Sequence, residues 1–117
     1  MSHGPEFRAA VEDALLRDEP DELMNLVMDV ALEASDPEWA QACCVQLSKH
    51  RNAQVRGNAV LGLGHLARRF GQLDLQRVGR VMNRALFDRS PFVREQAESA
   101  ADDLETFLSW RFERPES

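Results

Sequence analysis

Two stretches of this chain superimpose on one another. "HRNAQVRGNAVLGLGHLARRF" (50–70) and "DRSPFVREQAESAADDLETFL" (88–108) match without a gap at a shift of 38 residues. Arg51 falls on Arg89, Val55 on Val93, Arg56 on Arg94, Ala59 on Ala97 and Leu66 on Leu104. Gly62 meets Ala100, Leu63 meets Ala101 and Phe70 meets Leu108, so these positions keep their burial class. With one residue of slippage the match runs backward, Trp39, Cys43 and Leu47 aligning with Val78, Met82 and Leu86. "ALLRDEP" (14–20) echoes "ALFDRSP" (85–91), which marks a degenerate first unit. Such a repeat restricts the fold severely, because a unit of this size buries its apolar side only by stacking on its neighbours.

Each unit reads as two helices. The chain has no Tyr and no sustained alternation of apolar and polar residues, whereas apolar residues recur at three- and four-residue spacings. The first helix carries Phe7, Val11, Ala14, Leu15 and Leu16 on its stripe and ends near Arg17. The second follows Pro20 with Leu23, Leu26, Val27, Val30, Ala31 and Ala34. Ser35 or Asp36 caps a third that runs through Trp39, Ala42, Cys43 and Leu47 to about Ser48. The fourth takes Val55, Ala59, Gly62, Leu63, Leu66 and Phe70, with Gly71 as its C-terminal cap. A fifth spans about Leu75 to Phe87, using Leu75, Val78, Val81 and Met82. Ser90 caps a sixth from Pro91 to about Trp110, whose buried side includes Val93, Ala97, Ala101, Leu104 and Phe107. The expected fold is therefore all-α, a short right-handed α-solenoid of about three helical hairpins in one domain, residues 1–117. Its units are about 7–34, 37–70 and 75–110, between a disordered or tag-like start (1–6, with Gly-Pro-Glu-Phe at 4–7 looking like a cloning junction) and a tail (111–117) whose "ERPES" (113–117) is expected to fray.

The turn and second helix of each unit, kept best by "NAQVRGNAVLGLGHLA" and "SPFVREQAESAADDLE", resemble HEAT repeats. The likeness covers about residues 36–108 well and the first pair loosely. It implies that second helices line a concave side and that turn aspartates and arginines link successive units. His50 stands where the family carries the first-turn Asp, so an interruption of that ladder is expected between units two and three. Arg56 and Arg94, near the helix starts, are expected to tie units together through carboxylates or carbonyls.

Several chemistries find little support. "GNAVLGLG" follows a turn, lies within a helical period and has no lysine behind it, so a phosphate-binding loop is rejected. Gly62, aligned with Ala100, reads as a close helix contact, whereas Gly57 and Gly64 align with Glu95 and Asp102 and have no core reason to be glycine. His65 has no nucleophile at useful spacing on its helix, and two residues, Cys43 and His50, do not make a zinc site. No catalytic, cofactor or metal residues are assigned. Adjacent Cys43 and Cys44 project about 100° apart on a helix and read as reduced thiols.

What remains is a surface. Gly57, Leu61, Gly64, His65 and Arg68 on the fourth helix, with Glu95, Ser99, Asp102, Asp103 and Thr106 on the sixth, form the expected concave floor. Leu61 reads either as a shallow docking spot or as an ordinary exposed leucine. The acidic sixth helix reads either as a docking patch or as a solvated face. With 20 acidic and 14 basic side chains, a net charge of −6 favours a basic protein partner over nucleic acid. No membrane span or secretion signal is visible, which gives a cytoplasmic expectation.

"DPEWAQACCVQL", "VRGNAVLGLGHLARRFGQLD" and "AESAADDLETFL" together resemble small standalone bacterial HEAT-like proteins, some of which are immunity partners of toxin domains. That resemblance implies a non-enzymatic module covering a basic toxin domain. The alternative is an accessory or lyase-like HEAT adaptor acting on another protein.

Overall fold

A computed structural model describes residues 4–115, and among them every regular element is a helix. The six are α1 (Pro5–Arg17), α2 (Pro20–Glu33), α3 (Pro37–Leu47), α4 (Ala53–Phe70), α5 (Leu75–Ala85) and α6 (Pro91–Leu108). None is long and apolar enough to cross a membrane.

Local chemistry sets most boundaries. Asp36, Asn52 and Asp74 each accept two backbone N–H groups from the first turn of α3, α4 and α5, and Ser90 accepts one in α6. Proline opens α1, α2, α3 and α6, where its missing N–H has no partner to lose. Gly71 closes α4 at φ 68°, a left-handed conformation that glycine adopts without steric cost.

The helices form two rows. Within each successive pair α1 packs on α2, α3 on α4 and α5 on α6, while α2, α4 and α6 lie side by side with α4 in the middle. In the other row α3 touches α5, and it meets α1 through an edge-on Phe7–Trp39 contact at 5.9 Å and an Arg8–Asp36 ion pair at 3.4 Å. The shortest dimension, 20 Å, is the thickness of two helices. Between the rows lies one core that includes Leu23, Leu63, Leu66, Met82, Leu86 and Leu104.

The corners are joined by polar links. Asp18 ends α1 at φ 56° and accepts from His50 Nε2 at 2.7 Å and from Arg51 at 2.9 Å. His50 Nδ1 accepts the Asn52 N–H, which places its proton on Nε2. Arg56 donates to both carboxylate oxygens of Asp88, at 3.1 and 3.0 Å, and to the carbonyls of His50 and Arg51. The ladder expected to be interrupted between units two and three is thus present. The carboxylate comes from the later turn and the arginine from α4, so His50 does not interrupt it. Arg94 repeats half of the arrangement by donating to the Asp88 carbonyl.

The ends differ in part from expectation. Pro5 and Glu6, in the start read as disordered or tag-like, are helical in α1, and residues 1–3 lie outside the described residues. Within the tail, including part of the stretch expected to fray, residues 111–115 fold back on α6: Phe112 donates its N–H to Glu105, and Arg114 pairs with Glu98, Asp102 and Glu105. Its final residues, 116–117, lie outside the described residues. Leu16, Leu75 and Phe107, assigned to apolar stripes, are exposed, each sitting at the edge of its stripe or near a helix end.

Candidate functional site

The outward face of α2, α4 and α6 carries the residues expected to meet a partner. Their surroundings depend on how closely α6 approaches α4. Gly57, Val60, Gly64 and Ala67, spaced three and four apart, make a seam of small, buried residues along α4. A Cβ added to Gly57 would lie 2.5 Å from the Phe92 ring, and one on Gly64 would lie 3.0 Å from both Ala100 Cα and Asp103 Oδ2. Gly57 and Gly64 are therefore packing residues against α6 and are withdrawn from the exposed floor. Gly62 serves the opposite flank, where its Cβ would meet Ala31 and Cys44 at 3.1 Å. On that side Asn58 donates to the Met24 carbonyl, and Arg69 donates to the carbonyls of Ala31 and Ala34 at the end of α2.

With its flanks occupied, α4 exposes only a narrow strip. Leu61 and His65 are half-buried, and Arg68 is exposed with its guanidinium 5.8 Å from the centre of the Phe107 ring. Glu95, Ser99, Asp102 and Thr106 are exposed on α6, and Asp103 is half-buried beside Gly64. Leu32, on the corresponding side of α2, is 51% exposed and Phe107 is 46% exposed. Neither was expected on this face. Leu32 lies outside the aligned segments, and Phe107, aligned with Arg69, falls on the stripe expected to be buried; their signal was a large apolar residue interrupting a polar stripe.

The acidic face of α6 is divided. Arg114 bonds Glu98 at 2.8 Å, Glu105 at 3.0 Å and Asp102 at 3.5 Å. Its hydrogen bonds hold the Glu105 carboxyl below the usual carboxylate range. Glu95 and Asp103 make no ion pair among the described residues. Part of the acidity is thus neutralised within the chain, a third outcome beside docking and solvation.

The cysteines are inert and His50 is occupied. Cys43 and Cys44 are free thiols. Burial, with Glu12 nearby, pushes Cys43 up to about 11, and burial pushes Cys44 higher still, which leaves both protonated. Both His50 ring nitrogens already have partners, so Cys43 and His50 do not form a metal pair.

Burial lowers the pKa of His65, and Arg68 adds to that shift while Asp103 opposes it. His65 should therefore make stability depend on pH. An unfolded histidine titrates near about 6.5, so the unfolded chain takes up a proton first as the pH falls. Stability should drop through that point until the lower folded-state pKa is passed. Urea unfolding between pH 8 and pH 5, compared with His65→Gln, checks this; a constant difference between the two proteins throughout that range refutes it.

No family model, curated protein or solved structure matches this chain.

Proposed function

We propose that the protein is a non-enzymatic binding module whose α2–α4–α6 face grips a basic protein, and that its six helices are three hairpins of a short right-handed HEAT-like α-solenoid. The observation that carries the binding reading is the composition of this face. Leu32, Leu61 and Phe107 offer apolar contact in a surround of Asp29, Glu95, Asp102 and Asp103, with Arg68 the sole cation on its α4 strip. Apolar anchors inside a charged rim suit protein recognition, the rim guiding encounter and the anchors supplying affinity.

The sharper form of the proposal is an immunity protein that covers a cognate basic toxin domain in the cytoplasm. Its support is the resemblance of the repeat segments together with the acidity of the face. The test uses the purified chain as bait in lysate of its source organism, followed by mass spectrometry and binding measurements on the recovered protein. Glu95→Lys with Asp103→Lys should weaken that complex about 100-fold or more, as expected when rim charges are reversed. The melting temperature should shift by less than about 4 °C, equivalent to less than about 1 kcal/mol. Undiminished binding by a folded double variant would overturn the proposal.

A further inference from the structure

The row opposite that face is charged differently at its two ends. Residues 39–94 hold ten of the 14 basic side chains and only two acids, Asp74 and Asp88. Arg77, Arg80 and Arg84 form one exposed stripe on α5, with exposed Phe87 just beyond its end in line with Arg80 and Arg84. None of these arginines makes an ion pair among the described residues. On α1 the outward stripe is Glu12, Asp13 and Leu16, all exposed, and neither acid is ion-paired among the described residues. Leu16 is 85% exposed and Phe87 is 57% exposed, so each stripe has a large apolar residue among charges of one sign. Between them α3 presents exposed Glu38 in its first turn, half-buried Ala42 and exposed Gln46.

From α1 through α3 to α5 the outward stripes thus change from two acids, through a single acid beside uncharged Ala42 and Gln46, to three arginines. A twofold axis running along α3 would set α1 of one molecule over α5 of another, and α5 of the first over α1 of the second. We propose that this row is the interface of a symmetric dimer, its occupant a second copy of this chain. Charge complementarity selects that partner: Glu12 and Asp13 oppose Arg80 and Arg84, and Leu16 meets Phe87, each contact made twice by symmetry. The α2–α4–α6 faces of both copies remain outward, so dimerisation does not depend on the proposed binding function.

Sedimentation equilibrium over a range of protein concentrations tests the proposal. The dimer should weaken as salt rises from about 0.05 M to about 0.5 M, because exposed charge pairs are screened. Arg80→Glu with Arg84→Glu should weaken dimerisation about 100-fold, each reversal acting at two symmetric contacts. Glu12→Lys with Asp13→Lys should do the same. An equimolar mixture of the two variants should restore a species of twice the chain mass, because both α1–α5 contacts become attractive again. All four substitutions lie on exposed positions, and circular dichroism verifies that the variants are folded. A monomeric wild type overturns the proposal, as does failure of the mixture to associate. Open-ended polymers instead of a closed pair overturn the symmetry, and a monomer that binds a single-stranded oligonucleotide through α5 assigns the basic stripe to nucleic acid instead.

Discussion

Replacing Asp88 by alanine is expected to lower stability by about 3–5 kcal/mol, the usual consequence of removing one partner from a buried ion pair. Asp88 and Arg56 are only 15% and 14% exposed, and the arginine engages both carboxylate oxygens. Deleting the carboxylate leaves a guanidinium with two carbonyl partners and no counter-charge, and removes the acceptor for the Ser90 N–H. For a domain of this size the loss corresponds to a fall in melting temperature of at least about 12 °C. Arg56→Lys should recover little, since an ammonium cannot reproduce the two-pronged contact. Arg56→Met with Asp88→Leu should return close to wild-type stability, because no buried charge is then left uncompensated. Urea unfolding of the three variants separates these outcomes. A loss below about 1 kcal/mol for Asp88→Ala would reduce the link to the level of an exposed ion pair.

The pH dependence of that link has a definite sign. Burial would raise the Asp88 carboxyl, but the Arg56 hydrogen bonds and the Ser90 N–H outweigh it and hold the pKa below the ordinary value. The stabilisation is therefore complete above the unfolded aspartate value, about 3.9, and is lost as the pH falls through the folded value. The Asp88 loss begins below about 3.9 and the His65 loss already below about 6.5, so the two contributions set in at different points of one titration.

The features legible from sequence are those decided within a few residues of chain. Ser90 opens α6 and Gly71 closes α4 because a side-chain acceptor and a left-handed φ act locally, whatever packs outside. The apolar stripe of Leu63 and Leu66 likewise requires only helical periodicity. Reading Gly57 and Gly64 through Glu95 and Asp102 failed for a physical reason: equivalent positions in a repeat do not have equivalent neighbours. On α4 those positions face α6, whereas on α6 no further helix packs against them among the described residues. The same exchange appears at Val60 and Glu98 and at Ala67 and Glu105, where a buried apolar residue is paired with an acid. Arg114 lies outside the repeat, so no alignment could connect it with the acids it neutralises. The candidate face was therefore legible as a helix surface, while its depth and free charge depended on tertiary neighbours.

Gly64→Val follows from that same asymmetry and should destabilise the protein by about 3 kcal/mol or more, at the upper end of overpacking effects. The first added carbon would already lie 3.0 Å from both the Ala100 backbone and the Asp103 carboxylate, no change of rotamer moves that carbon, and a β-branched side chain adds two more carbons to it. Gly57→Ala should cost less, because the atoms it meets belong to the Phe92 and Gln96 side chains, which are half-buried and can move. Gly79→Ala is the control: no atom lies within 4 Å of its added Cβ, so replacing a helical glycine should stabilise the protein by about 1 kcal/mol. Thermal and urea unfolding should therefore rank Gly79→Ala above wild type, Gly57→Ala below it and Gly64→Val lowest. If Gly64→Val unfolds with wild-type stability, α6 does not approach α4 this closely, and Gly64 becomes available as part of an open floor after all. If the ranking holds, α4 has a glycine at 64 because the last helix requires its close approach, and the partner-facing strip is confined to Leu61, His65 and Arg68.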